Sequence, residues 1–212
     1  MAGDIVVVLS DLHIGAGRLA EGNLLEDFSS DAAFAALLKD IAGESELASR
    51  PAQLILNGDL CEFPQVPARD IFSPRQIYGP EDYRDMSQAA SLQKLRLILA
   101  GHPDFFTALR AWLKSDEPRR TLVITKGNHD PQWQWPAVQD ALRKALDAEG
   151  ERAALLEFLQ QFLRPLRLVE FVITDETARG RDTLLRVRIG RDTARPYRRN
   201  AGRIRVIRVI GG

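Results

Sequence analysis

Three short hydrophobic runs, residues 5–9, 54–56 and 122–124, are continuous rather than alternating. That pattern predicts strands buried on both faces, as in a parallel sheet. Between the first two, Phe34, Leu37, Leu38 and Ile41 recur at helical spacing, with Asp31 as the predicted cap and Gly43 as the stop. Strand, helix and strand in that order predict a parallel pair with a right-handed crossover. Helices are predicted again over 87–100 and 104–114, separated by Gly101-His102-Pro103, with Asp104 as the second cap and His102 at a helix start rather than in a metal site. A third strand follows at 121–125. Trp133-Gln134-Trp135-Pro136 then leads into two more helical stretches, 137–148 and 151–163. The prolines Pro64, Pro67, Pro74 and Pro80 predict an irregular excursion over 64–86, beside the site and part of a substrate pocket. Past Pro165, residues 168–174, 184–189 and 204–210 read as strands.

Composition changes this picture little until the last segment. The 212 residues are 45% hydrophobic and 27% charged, which suits one globular domain with a substantial core. No apolar run approaches membrane-spanning length and no signal-like leader opens the chain, so a cytoplasmic protein without a membrane span is expected. The single cysteine, Cys61, agrees with a reducing compartment and reads as small apolar filler. The net charge of zero hides a split: residues 1–178 carry 18 basic and 27 acidic residues (−9), residues 179–212 carry 11 arginines against 2 aspartates (+9). A main domain over 1–178 and an arginine-rich tail over 179–212, forming short strands or poorly ordered, are therefore expected. The tail is a candidate contact for nucleic acid.

The candidate chemistry sits directly behind the three strands: Asp11-Leu12-His13, Gly58-Asp59 and Gly127-Asn128-His129-Asp130. Parallel strands share a carboxyl-end rim, so groups far apart in sequence can converge there. Carboxylate and amide oxygen combined with imidazole suits Mn, Fe, Co or Zn better than Ca or Mg. Taken singly, each motif reads as an ordinary turn. Trp133 and Trp135 alternate so that one ring is buried and the other exposed, and core packing is the favoured use.

The ordered set of motifs resembles the calcineurin-like metallophosphoesterases, and the extended form Asn57-Gly58-Asp59-Leu60-Cys61-Glu62-Phe63 is similar to bacterial members; the resemblance spans residues 4–131. It implies an α/β fold of the metallophosphoesterase type, a sandwich of mixed β-sheets flanked by helices. It also implies two divalent metal ions and hydrolysis of phosphomonoesters or phosphodiesters. By position, Asp59 would bridge the ions, Asp11 and His13 would hold the first, and Asn128 the second while also binding phosphate. His129 would be the catalytic histidine at the leaving-group oxygen, Asp130 would orient its imidazole, and Glu62 would stand behind the metal or meet a substrate hydroxyl.

The family's pattern continues with a further histidine and a Gly-His-x-His element. This chain has three histidines, His13, His102 and His129. The fold is therefore expected to be incomplete at its C-terminal side, with the second ion short of protein ligands. Either the arginine-rich end replaces a native half, through truncation or a shifted frame, or the tail is native and Asp182 or Asp192 supplies a ligand. Three functions follow: an active or impaired phosphoesterase, an inactive phosphoesterase-like binding domain, or a nuclease.

Overall fold

The computed structural model describes residues 5–18, 22–43, 48–115, 117–159, 170–173 and 204–210, the last two stretches by their backbone course. One mixed sheet of six strands organises them. We number its strands β1 (Ile5–Leu9), β2 (Ala52–Asn57), β3 (Arg120–Thr125), β4 (Leu156–Leu159), β5 (Glu170–Ile173) and β6 (Ile204–Ile210). The spatial order is β4-β3-β2-β1-β6-β5. The first four strands are parallel, with Leu9 opposite Leu56, Leu56 opposite Ile124 and Ile124 opposite Phe158. β6 pairs antiparallel with β1, and β5 antiparallel with β6. The α/β class is as expected.

The helices are α1 (Asp31–Gly43), α2 (Pro80–Arg84), α3 (Gln88–Gly101), α4 (Pro103–Leu113) and α5 (Pro136–Ala145). Because β1 to β4 are added one beside the next in the same direction, right-handed crossovers bring the connecting helices to the same face. That face carries the main core. Phe34 and Leu38 of α1, Leu95 and Ile98 of α3, Phe105 and Leu109 of α4, and Val138 and Leu142 of α5 pack with Val7, Leu54, Leu56 and Ile124. Phe34 stacks on Phe105 at 4.0 Å between ring centroids, which ties α1 to α4. Each such side chain contributes roughly 1.5–3 kcal/mol on full burial. The opposite face contributes Val8, Ile55 and Val123 to a separate, smaller cluster. Among the described residues no helix is long and apolar enough to cross a membrane.

Several boundaries shift, and one element changes type. Of the helix expected over 151–163, the described part is instead a 3₁₀ turn, Gly150–Leu155, followed by strand β4, and residues 160–163 lie outside the described residues. Leu155, Leu156, Phe158 and Leu159 suit a helix or a strand equally by spacing. The open edge of β3 decides, because it supplies backbone partners: Leu156 lies opposite Leu122, and Lys126 N–H donates to the Leu159 carbonyl at 2.9 Å. Helix α5 also stops earlier than expected, at Ala145.

The start of α1 differs from expectation as well. Asp31 is the first helical residue, Phe34 N–H bonds to the Ser30 carbonyl, and the Asp31 carboxylate turns to His102. Ser87, expected as the first residue of a helix, is instead the cap of α3 and accepts the Ala90 N–H, while α4 starts at Pro103 with Asp104 in its first turn rather than at the cap. The expected excursion contains a 3₁₀ turn at Phe63–Gln65 and the short α2. Of the three expected late strands, those at 170–173 and 204–210 are present. The stretch 184–189 and most of the arginine-rich segment lie outside the described residues, yet β6, from that same segment, sits in the sheet beside β1.

Candidate metal centre

The parallel strands end level with one another, so the three motifs leave the sheet at a shared rim. Just past β1 and β2 the two chains keep running together: Asp11 N–H donates to the Gly58 carbonyl (3.3 Å), His13 N–H to Asp59 (2.9 Å) and Ile14 N–H to Leu60 (2.9 Å). Glu62 N–H closes the ladder on the Ile14 carbonyl at 2.8 Å. Within it Asp11, His13 and Asp59 adopt left-handed backbone, with φ of 56°, 52° and 48°. Such residues cost of order 1–3 kcal/mol each and persist only where their surroundings impose them, which is common at functional sites.

The third motif docks on this ladder through backbone and glycine. His129 N–H donates to Asp59 Oδ1 at 2.8 Å. Gly127 passes so close to Asp59 that a Cβ there would collide with the Asp59 backbone nitrogen and its carboxylate. No side chain fits.

The result is a graded pocket rim. Asp59 and Glu62 form the floor, 6% and 3% exposed, while His13 and His129 are half-buried and Asp11 and Asn128 are exposed at the lip. Ligand atoms of Asp11, His13 and Asp59 lie within 4.8 Å of one another, and so do those of His13, Glu62 and His129. An ion with bonds of roughly 2.0–2.2 Å holds opposite donors about 4 Å apart, so slight in-drawing of the first set would close it on one cation. Of the six expected site residues, Asp11, His13, Asp59 and His129 are gathered directly, with Asn128 on the same turn.

Glu62 has a larger part than its sequence position suggested. Its two oxygens accept one imidazole each, from His13 Nδ1 at 2.6 Å and from His129 Nδ1 at 2.8 Å. The rings stand perpendicular, 88° apart with centroids at 4.7 Å. Burial alone would raise the Glu62 pKa, but the hydrogen bonds from His13 and His129 outweigh it and hold the carboxyl below its usual range. Glu62 is therefore an acceptor, both Nδ1 atoms carry the protons of these bonds, and Nε2 of each ring is the nitrogen left for other chemistry. The same bond to Glu62 raises the pKa of His13, with Asp59 and Asp11 adding to the effect against the pull of burial. A carboxylate behind a ligating imidazole is the usual means of fixing its tautomer and raising its basicity.

Asp130 is not the partner of His129 that the sequence implied. Its fully buried carboxylate faces inward, where Oδ1 accepts the Gly127 N–H at 2.6 Å. Oδ2 accepts Leu60 N–H at 2.8 Å, Cys61 N–H at 3.3 Å and Trp133 Nε1–H at 3.0 Å. It staples the loop after β2 to the loop after β3. Burial raises its pKa, and these donors oppose that rise. The remaining sequence expectations fall outside the rim. Trp133 is buried against Phe63, Trp135 is partly exposed with its indole on the Met86 carbonyl, and Cys61 is fully buried. His102 stands at the start of α4, its ring buried between Glu26 and Asp31 and remote from the metal motifs in sequence.

Compared with known proteins, the chain matches no family model, no curated protein and no solved structure.

Proposed function

We propose that the chain is a metal-dependent phosphoester hydrolase of the calcineurin-like type, acting on phosphomonoesters or phosphodiesters. The observation that carries this reading is the meeting of Asp11, His13 and Asp59 ligand atoms within 4.8 Å at the tips of neighbouring strands. His129 is fastened to Asp59 by its own backbone. The second apolar face of the sheet, with Val8, Ile55 and Val123, is what a sandwich partner would cover.

On this reading divalent ions of the Mn, Fe, Co or Zn kind would be held by Asp59, shared between the sites, by Asp11 and His13, and by the side-chain carbonyl of Asn128. When bound, such ions bring the pKa of a shared water into the working range and neutralise phosphate oxygens. The chain's own groups do the rest. Glu62 fixes His13 with Nε2 outward and aims His129 Nε2 at the leaving-group oxygen, to which it can donate a proton. Such a donor contributes roughly 10² to 10⁴ in rate. Asn128, at the exposed lip, can offer its amide protons to the phosphate. Asp130 acts through the scaffold. A cytoplasmic setting fits the lone buried thiol of Cys61.

A second reading, a binding domain that holds metal without turnover, is favoured by one observation. Asp11, His13 and Asp59 converge as a set for one ion, whereas a second ion would rest on Asp59 and an exposed Asn128. One experiment separates the readings. The chain, stripped with chelator and reloaded with Mn²⁺, is assayed on p-nitrophenyl phosphate, bis(p-nitrophenyl) phosphate and a single-stranded oligonucleotide, beside an Asp59→Ala control. Hydrolysis above the control supports the enzyme, and the oligonucleotide arm reports the nuclease version. Metal uptake that depends on Asp59 without any hydrolysis supports the binding domain, and no Asp59-dependent uptake ends both.

A further inference from the structure

Behind the ligand-bearing turn lies a second charged group that the chemistry above does not use. Glu26 has a side chain with no exposed surface, and its carboxylate accepts Gly15 N–H (3.2 Å), Gly17 N–H (2.6 Å) and Phe28 N–H (3.0 Å). His102, 2% exposed, places Nε2 3.2 Å from Glu26 Oε2 as an ion contact too bent for a hydrogen bond, while Nδ1 sits 3.0 Å from Asp31 Oδ1. A buried carboxylate needs such compensation, since an isolated buried charge is very costly.

What Glu26 grips is the chain just past His13. Gly15 is hard against it, with a built Cβ only 2.7 Å from Glu26 Oε2. Gly17, at φ 81°, crosses the end of α3 so closely that a Cβ would lie 2.5 Å from the Gly101 carbonyl oxygen. Asn23 completes the grip, its side-chain amide donating to the Gly17 carbonyl at 2.9 Å. The left-handed turn that presents Asp11 and His13 is thus anchored by β1 on one side and by this clamp on the other.

Resting on the metal-site reading above, we propose that Glu26 is a positioning residue for the metal centre, its buried carboxylate holding Gly15 and Gly17 so that Asp11 and His13 stay in the left-handed geometry that faces an ion. His102 neutralises Glu26 and Asp31 holds His102. The brace joins the site to α1 and to the α3–α4 corner, and it touches no ligand side chain.

The test compares full-length wild type, Glu26→Gln, Asp59→Ala and Leu142→Ala, the last a core truncation on α5 that lowers stability without touching the clamp. Two measurements are made: Mn²⁺ affinity by calorimetry, and metal-free amide hydrogen exchange at His13 and Ile14, whose N–H groups bond to Asp59 and Leu60 rather than to Glu26. Glu26→Gln is expected to weaken Mn²⁺ binding about 10- to 100-fold, as losing a supporting partner behind a ligand does. It is also expected to speed exchange at His13 and Ile14 about tenfold or more as the turn opens locally. Leu142→Ala leaves both as in wild type. Wild-type protection of His13 and Ile14 in Glu26→Gln overturns the inference, as does unchanged Mn²⁺ affinity beside an Asp59→Ala loss. If wild type itself takes up no Mn²⁺ through Asp59, the metal-site reading fails, and the exchange rates alone decide whether Glu26 holds the turn. Should Glu26→Gln not fold, Asp31→Asn takes its place, with a smaller shift in both quantities expected and no shift overturning the inference.

Discussion

Replacing Asp130 by alanine removes an acceptor shared by four buried donors, the N–H groups of Leu60, Cys61 and Gly127 and the indole of Trp133. Three of these bonds are 2.6–3.0 Å long and well formed, while the Cys61 contact at 3.3 Å is weaker. A buried donor left without a partner costs roughly 1–3 kcal/mol. Part of that is offset because burying the carboxylate was itself unfavourable, as its raised pKa indicates. The net expectation is a loss of about 3–5 kcal/mol. For a chain of this size each kcal/mol lowers Tm by roughly 2–4 °C, so Asp130→Ala should melt about 6–20 °C below wild type. Urea unfolding supplies the direct reading: the midpoint falls while the slope m stays constant, and Asp130→Asn, which keeps one carbonyl acceptor, falls about half as far. Activity, if present, should fall with the loosening of both loops and recover when the folded fraction is corrected for at low temperature. An Asp130→Ala chain within about 1 kcal/mol of wild type by urea unfolding refutes the staple. A full-stability variant with lost turnover would return Asp130 to the chemistry.

Three further outcomes are expected. Gly127→Ala, which forces a Cβ onto the Asp59 backbone, should lose roughly 1–3 kcal/mol and shed Mn²⁺ together, and a melting curve superimposable on wild type would contradict the close approach. His129→Ala should cut hydrolysis by roughly 10² to 10⁴ while leaving Mn²⁺ affinity within a few-fold, since His129 is proposed as a proton donor and not a ligand; equal loss of metal and rate would make it a ligand instead. Burial would lower the His102 pKa, but the hydrogen bond to Asp31 and the ion contact with Glu26 outweigh it and raise the pKa to about 9. Its folded pKa therefore lies above the unfolded 6.5, so its contribution, roughly 3 kcal/mol, is complete below pH 6.5 and fades as pH rises through about 9. The stability gap between wild type and His102→Gln, measured by urea unfolding at pH 6 and pH 10, should shrink accordingly, and a gap that is the same at both values would refute the ion pairing.

Much of the scaffold was legible from spacing alone. Continuous apolar runs at residues 5–9, 54–56 and 122–124 became parallel strands because such runs have no polar face to leave in water. The helices α1, α3 and α4 followed from the 3.6-residue recurrence of their apolar positions. The candidate ligands Asp11, His13 and Asp59 and the candidate proton donor His129 were legible for the same reason, since residues directly behind parallel strands have one rim to share. Glu62 was legible as a neighbour of the site, but not as the acceptor of two imidazoles.

Partner choice was not legible. Residues 156–159 are a strand because β3 leaves an edge open beside them, and nothing in their own spacing separates strand from helix. Asp130 and Glu62 both follow strands and both are acidic, yet one faces inward to staple two loops and the other faces two imidazoles. Asp31 read only as a helix cap and Glu26 carried no motif, while His102, 71 residues beyond Asp31, meets them both. The sequence by itself determined which segments must be buried and where the chain turns, because burial and backbone conformation are local demands met residue by residue. Tertiary structure alone decided which carboxylate answers which donor, because a hydrogen bond needs its partner at about 3 Å, and distance across the fold is not written in spacing along the chain.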